Sequence, residues 1–212
     1  MKNWYTSHAD DTMPLAISVL PAFPAKTFKE FIAYAKTKPG KLSYGSAGTG
    51  SSNHVVGELL KTETGIDLVH VPFKGGAPAM AMLLANQLDV YIATVPTIVP
   101  MVQAGRIRVI AVSSARRSPA FPDVPAMAES GLPGFDTTSW FCIVGPAGLP
   151  KAIVARLNSE IVNILNNAEV KERLTAAGVN VESTTPEGLR AFVRAEIQKM
   201  RKSVKFSGAT VD

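Results

Sequence analysis

The residues best suited to chemistry lie in the stretch 41–59. Gly45, Gly48 and Gly50 are interleaved with the hydroxyls of Ser46, Thr49, Ser51 and Ser52, and Ala47 completes the turn. The short run 42–44 predicts a strand before it. Val55, Val56, Leu59 and Leu60, at helical spacing, predict a helix after it. A strand, a glycine-rich turn and a helix start bring free backbone N–H groups and a positive helix end to one spot, which is the outline of an anion site. The hydroxyls add donors without charge, and the glycines let a ligand approach the backbone. A plain strand-to-helix turn capped by a serine fits the same letters, and this stretch alone does not separate the two.

Three sharper chemistries fail on spacing. Gly45 and Gly50 are placed as in a phosphate-binding P-loop, but Ser51 stands where the lysine belongs. Ser46 has Gly48 after it but Tyr44 before it, so it is not a nucleophile elbow. The glycine order is the reverse of the dinucleotide fingerprint. His8, His54 and His70 fall in separate elements without metal-ligand spacing, and no metal or cofactor is expected. His54, one turn into the helix, is placed to face a ligand, whereas His70 reads as a satisfied strand residue. Cys142 is the single cysteine, which excludes an internal disulfide, and its apolar run predicts a buried, inert thiol. No paired carboxylates and no nucleophile with a base appear, so no catalytic residue is assigned.

The composition frames these motifs. With 212 residues, 46% hydrophobic and 18% charged, the chain is globular and long enough for one medium domain or two small lobes. Its net charge of +5 is spread out, without the basic block of a nucleic-acid arm, and mildly favours anionic ligands. The apolar run 14–23 is too short to span a membrane, and the acids before it make a poor signal peptide.

The elements that must position the glycine turn alternate between strand and helix. Strands are predicted at 15–20, 42–44, 66–71, 89–94 and 106–113. A capping box, Thr27 to Glu30, opens the first helix. Phe73, Lys74, Gly75 and Gly76 form a second glycine turn that opens another helix, with Pro78 in its first turn. The alternation predicts a mostly parallel α/β sheet, whose ligands sit beyond the carboxyl ends of the strands. Both glycine turns are of that kind. Prolines and glycines at 113–135 mark a boundary. Beyond it are predicted a strand at 136–144, a helix after Pro150 with Ile153, Val154, Leu157, Ile161, Ile164 and Leu165 as its apolar stripe, a helix at 168–177, a short strand at 179–182 and a last helix started by Thr185, Pro186 and Glu187 that carries Leu189, Phe192, Val193 and Ile197.

Five ordered motifs carry a resemblance: 24–27 (PAKT), 41–52 (KLSYGSAGTGSS), 70–75 (HVPFKG), 117–125 (RSPAFPDVP) and 146–150 (PAGLP). From about Met13 to the C-terminus the chain resembles the Bug family of extracytoplasmic solute receptors, the binding proteins of tripartite tricarboxylate transporters. The resemblance implies an α/β fold like type II periplasmic binding proteins, with one complete lobe and the C-terminal half of the other. Residues 1–20 would be an atypical N-terminal segment and hinge strand, 21–137 the lobe with the ligand loops, and 138–212 the mainly helical part of the other lobe. It implies a carboxylate ligand, held by Ser46, Ala47, Gly48, Thr49, Gly50, Ser51, Ser52, Phe73, Lys74, Gly75, Gly76 and Thr94. Transporter subunits are the implied partners, with no nucleic acid, and the periplasm is the implied compartment. Many members carry an acidic or amide residue where this chain has Ala93 and Thr94, which implies an altered ligand preference. Members are also longer at the N-terminus, so the chain is expected to be a truncated product or one with a mis-assigned start. The alternatives are the effector-sensing domain of a regulator, for which no helix-turn-helix is visible, and a small hydrolase, for which the elbow is missing.

Overall fold

The structure, a computed structural model, describes residues 5–146 and 148–207. Positions 1–4 of the polar N-terminal segment, position 147 of the fifth motif and positions 208–212 lie outside the described residues. Strand β1 (Tyr5–Val19) precedes helix α1 (Phe28–Lys36). The chain then alternates through β2 (Leu42–Ser46), α2 (Ser52–Thr64), β3 (Leu68–Pro72), α3 (Gly76–Leu84), β4 (Val90–Thr94), α4 (Val95–Gln103) and β5 (Arg108–Val112). After a 3-10 turn at Ala128–Ser130 come β6 (Thr138–Gly145), α5 (Lys151–Leu165), α6 (Ala168–Ala176), β7 (Ser183–Thr184) and α7 (Pro186–Ser207).

Five strands lie in the order β3-β2-β4-β1-β5. β2 is parallel to both β3 and β4, while β1 runs antiparallel to β4 and β5. Side chains alternate between the two faces. Leu15 and Ile17 of β1 join Tyr44, Ile92 and Ile110 in one core, with Phe28 and Phe31 of α1 and Val56 and Leu60 of α2. Ala16 joins Tyr91, Ala93, Val109 and Val112 in the other, under Ala79 and Leu83 of α3 and Ile98 of α4. Helices therefore cover both faces, but the sheet is mixed rather than mostly parallel, because β1 is antiparallel to every strand it pairs.

The capping box forms as predicted. The Glu30 N–H donates to Thr27 Oγ1, and the Glu30 carboxylate accepts from the Lys26 and Thr27 N–H groups. Those backbone bonds hold the Glu30 carboxyl below its ordinary range. β1 differs from the sequence expectation, starting at Tyr5 rather than Leu15. Its Leu15–Ser18 end pairs with β4, and its earlier residues pair antiparallel with β6 and β7. Partners more than a hundred residues away make a strand from a segment with no apolar alternation of its own. The last short strand is also displaced, to Ser183–Thr184 from the expected 179–182, because pairing with His8 and Ala9 selects its position.

Three passes of chain are tied at one buried point. The Leu15 N–H donates to Ser113 Oγ at 2.9 Å, and the Ser113 N–H to the Leu15 carbonyl at 2.8 Å. The Ser113 hydroxyl in turn donates to the Thr137 carbonyl, and the Thr137 N–H to the Ser113 carbonyl at 2.9 Å. Beyond this point α5 and α7 lie against β1, α7 also touches α2, and Trp140 meets Phe192 edge-on with ring centroids 5.5 Å apart. Cys142 of β6 is half-buried rather than buried, and partial burial raises its thiol pKa.

Candidate ligand-binding site

The parallel register of β2 and β3 pairs Ser46 with Pro72, so the two glycine turns leave the sheet side by side. They are bonded to each other. The Phe73 N–H donates to the Ser46 carbonyl at 3.2 Å, and the Gly75 N–H to the Ala47 carbonyl at 3.1 Å. The approach is close: a Cβ on Gly48 would lie 3.2 Å from the Phe73 carbonyl oxygen, and one on Gly76 2.7 Å from the Tyr91 hydroxyl. Gly48 and Gly50 also have φ of 134° and 79°, which side-chain-bearing residues rarely adopt. β4 ends at Thr94 on the same edge, and Thr94 is the N-cap residue of α4. Three helices thus begin along one edge of the sheet.

The Ser51 side chain caps α2 by accepting the His54 N–H, while its hydroxyl donates to the Gly48 carbonyl at 2.7 Å. Among the described residues, the N–H groups of Thr49, Ser52 and Asn53 in the first turn donate no hydrogen bond to the protein. Nor do those of Lys74, Gly76 and Ala77 in the second. Each helix N-terminus favours an anion by typically 0.3 to 1 kcal/mol, and by about 2 when partly buried. A hydrogen bond to a charged acceptor contributes about 1.5 to 3 kcal/mol. Two such ends side by side favour an anion without an arginine.

The twelve predicted residues do not play equal parts. Thr49 and Gly50 are exposed at the mouth, and Lys74 is exposed beside the second turn. Ala47, Gly48, Ser51, Ser52, Phe73, Gly75, Gly76 and Thr94 are half-buried. The Ser52 hydroxyl donates to Ser139 Oγ of β6 at 3.3 Å, linking the first turn to the C-terminal part of the chain. Thr94 stands at the same edge, its hydroxyl 3.4 Å from that of Thr97. Ser46, expected among the hydroxyl donors, is fully buried. Its Oγ accepts the Gly48 N–H at 3.1 Å and lies 2.7 Å from His70 Nε2. Its hydroxyl therefore supports the turn from beneath.

Four residues outside the predicted ligand set, Asn53, His54, His70 and Tyr44, complete this support. Asn53, buried in the first turn of α2, donates through Nδ2 to the Ile92 carbonyl of β4 at 2.7 Å. His54 is only 5% exposed and faces the sheet, not a ligand. Its Nδ1 accepts the Gly50 N–H at 3.1 Å, and its ring stacks on that of His70 at 4.0 Å. Tyr44 stacks on the same His70 at 4.9 Å, and its hydroxyl donates to Glu58 at 2.7 Å. Burial depresses both histidine pKa values. His70, which also feels the neighbouring His54, falls to about 4. Burial and then the Glu58 bond push the Tyr44 phenol far up.

Known proteins are similar to this chain in sequence and in fold. A family model described as a tripartite tricarboxylate transporter family receptor (TctC) matches residues 8–208. A UPF0065 protein encoded in the tcbD-tcbE intergenic region of a Pseudomonas species is 34% identical over 194 residues, covering 91% of this chain and 58% of its own length. BugT of Bordetella pertussis is 32% identical over 197 residues, covering 93% of this chain and 60% of its own. Among solved structures, R. palustris Rpa4515 with adipate matches at a TM-score of 0.93 and 32% identity, over 98% of this chain and 69% of that one. MatC of Rhodopseudomonas palustris with bound malate matches at 0.87 and 30% identity, over 96% and 70%. The chain spans less than two thirds of the length of these curated relatives. The match of the receptor model along nearly the whole chain settles the affiliation: this protein belongs to the tripartite tricarboxylate transporter receptor family.

Proposed function

We propose that the chain captures a small carboxylate for a tripartite transporter, with the 46–52 and 73–76 turns forming the carboxylate cradle. The observation that carries this reading is the pairing of the two turns, joined by the Phe73 and Gly75 backbone bonds, each with unspent N–H groups at a helix start. The solved relatives hold adipate and malate, both small carboxylates. Ala47, Gly48, Thr49, Gly50, Ser51 and Ser52 line the first turn, and Phe73, Lys74, Gly75 and Gly76 the second. Thr94 lies along the same edge, and Ser46 acts through the backbone of Gly48. Membrane subunits of the transporter are the partners, and the periplasm is the compartment, as for receptors of this family. Residues 21–137 act as the lobe that carries the turns, 138–212 as part of a second lobe, and 1–20 as the N-terminal segment whose strand β1 they share. The closed double core of the first and the Ser113 junction support that division.

Isothermal calorimetry with adipate and with malate tests the reading. Gly48→Asp places a negative charge in the turn and is expected to weaken binding at least tenfold, whereas Lys74→Ala changes it by less. Unchanged affinity in Gly48→Asp with abolished affinity in Lys74→Ala would show that the lysine, not the backbone, holds the anion.

A further inference from the structure

Beneath the first turn the geometry points to a positioning role for a histidine pair: we infer that His54 and His70 lock the 46–52 turn in its ligand-ready shape only while both rings are neutral. Because His54 Nδ1 accepts the Gly50 N–H, that nitrogen carries no proton, and the neutral ring bears its hydrogen on Nε2. A proton added to Nδ1 would face the Gly50 N–H, donor against donor, so Gly50 must turn away before His54 can charge. His70 is linked to the same turn, since its Nε2 meets Ser46 Oγ, which accepts the Gly48 N–H. Two N–H groups of the turn are thus anchored on imidazole, one directly and one through a hydroxyl.

The rings lie 4.0 Å apart and 12° from parallel, close enough that charge on one opposes charge on the other. The charged and titratable groups around them are Tyr44 on β2 and Glu58 and Lys61 on α2. Glu58 already accepts from the Tyr44 hydroxyl and pairs with Lys61 at 3.1 Å. Among the described residues no carboxylate is hydrogen-bonded to either ring; the Glu58 charge favours an imidazolium, but burial outweighs it and Lys61 opposes it. The depressed pKa values follow from this burial and place the switch on the acid side of the ordinary histidine range.

The significance for capture rests on the proposed reading of the turn as a carboxylate cradle, but the lock itself is measurable without ligand. Amide exchange of the full chain, followed by NMR from neutral pH into acid, reports the protection of Gly50 beside that of Phe31 in α1. Gly50 protection is expected to fall on the order of tenfold per pH unit once His54 titrates, and to fall ahead of that of Phe31, which loses only what the global stability of the lobe loses. In His54→Gln the amide oxygen can still accept from Gly50 but cannot take a proton, so the fall should disappear. A Gly50 profile that tracks Phe31 throughout, or the same fall in His54→Gln, overturns the inference. Should the variant not fold, the wild-type comparison of Gly50 with Phe31 decides alone. Calorimetry with adipate and malate at neutral pH separates the two claims. Binding together with an unresponsive Gly50 removes the histidine lock and leaves the cradle standing. A responsive Gly50 with no binding removes the cradle and leaves the lock.

Discussion

Phe31 and Ile164 both sit on the apolar stripe of a helix, yet Phe31 is fully buried and Ile164 is 57% exposed. The contrast holds for the regions around them. In residues 13–137, β1 to β5 and their helices close two cores, one on each face of the sheet. Beyond Thr137 the only buried apolar side chains described are Val154, Leu165, Val179 and Leu189. There Phe141 and Ile143 of β6 and Ile153, Leu157 and Ile164 of α5 keep about half or more of their surface in water. Hydrophobic periodicity shows which face of an element is apolar, not whether a partner covers it. The first region is a finished layer structure. The second is a face held on by β1, by the Ser113 junction and by α7.

Core truncation gives the largest test of this contrast. Phe31→Ala should cost about 3 to 5 kcal/mol in urea unfolding, and Ile164→Ala no more than about 0.5 kcal/mol. Equal losses would mean that the second region is covered in solution.

A matched pair of asparagines sharpens it. Asn53 Nδ2 donates to the buried Ile92 carbonyl, and Asn158 Nδ2 to the part-buried Thr184 carbonyl at 2.9 Å. Asn53→Ala leaves a buried carbonyl unpaired and should cost about 1 to 3 kcal/mol, whereas water can replace the Asn158 bond at about 0.5 to 1 kcal/mol. The same unfolding measurement ranks them, and a reversed order would break the comparison.

Acid should also weaken the first region. The His70 pKa is lowered to about 4 from an ordinary value of about 6.5, so the unfolded chain takes the proton first. The stability this histidine supports is complete above about pH 6.5, declines as pH falls toward about 4 and is level below. Urea midpoints across that window should show the slope, and His70→Gln should flatten it. A wild-type midpoint that stays constant there would contradict the burial argument.

The smallest change in stability is expected at the exposed strand face. Phe141→Ser with Ile143→Ser should alter it by no more than about 0.5 kcal/mol. Exposed apolar patches favour association, so the same pair should reduce any concentration-dependent oligomer seen by size-exclusion chromatography. Identical elution of an associating wild type and the double variant would place the contact elsewhere.

What the letters disclosed and what they concealed divide along the range of the interactions. The Thr27–Glu30 capping box, the two glycine turns and the helices after them depend on residues a few positions apart, and all were legible. The N-terminal half of β1 was not, because its hydrogen bonds go to β6 and β7. Nor was the inward-facing role of Ser46 and His54. That pairing appears only when the β2–β3 register sets Tyr44 beside His70 and α2 folds back over both. Within α5 the letters do not rank the stripe: Leu157 and Ile161 read alike in sequence, but Leu157 is exposed and Ile161 half-buried.

The length of β1 has a consequence for synthesis. Its partners are Val90–Thr94, Arg108–Val112, Thr138–Gly145 and Ser183–Thr184, all translated after it. Pairings this remote in sequence raise the contact order and slow folding. None of these pairings can form until β4 emerges, and those of the first ten residues of β1 wait for β6 and β7. Exposed strand edges of that kind are templates for aggregation. The element that joins the two regions is therefore among the last to complete its pairing, and it is exposed to misassociation while the chain is being made.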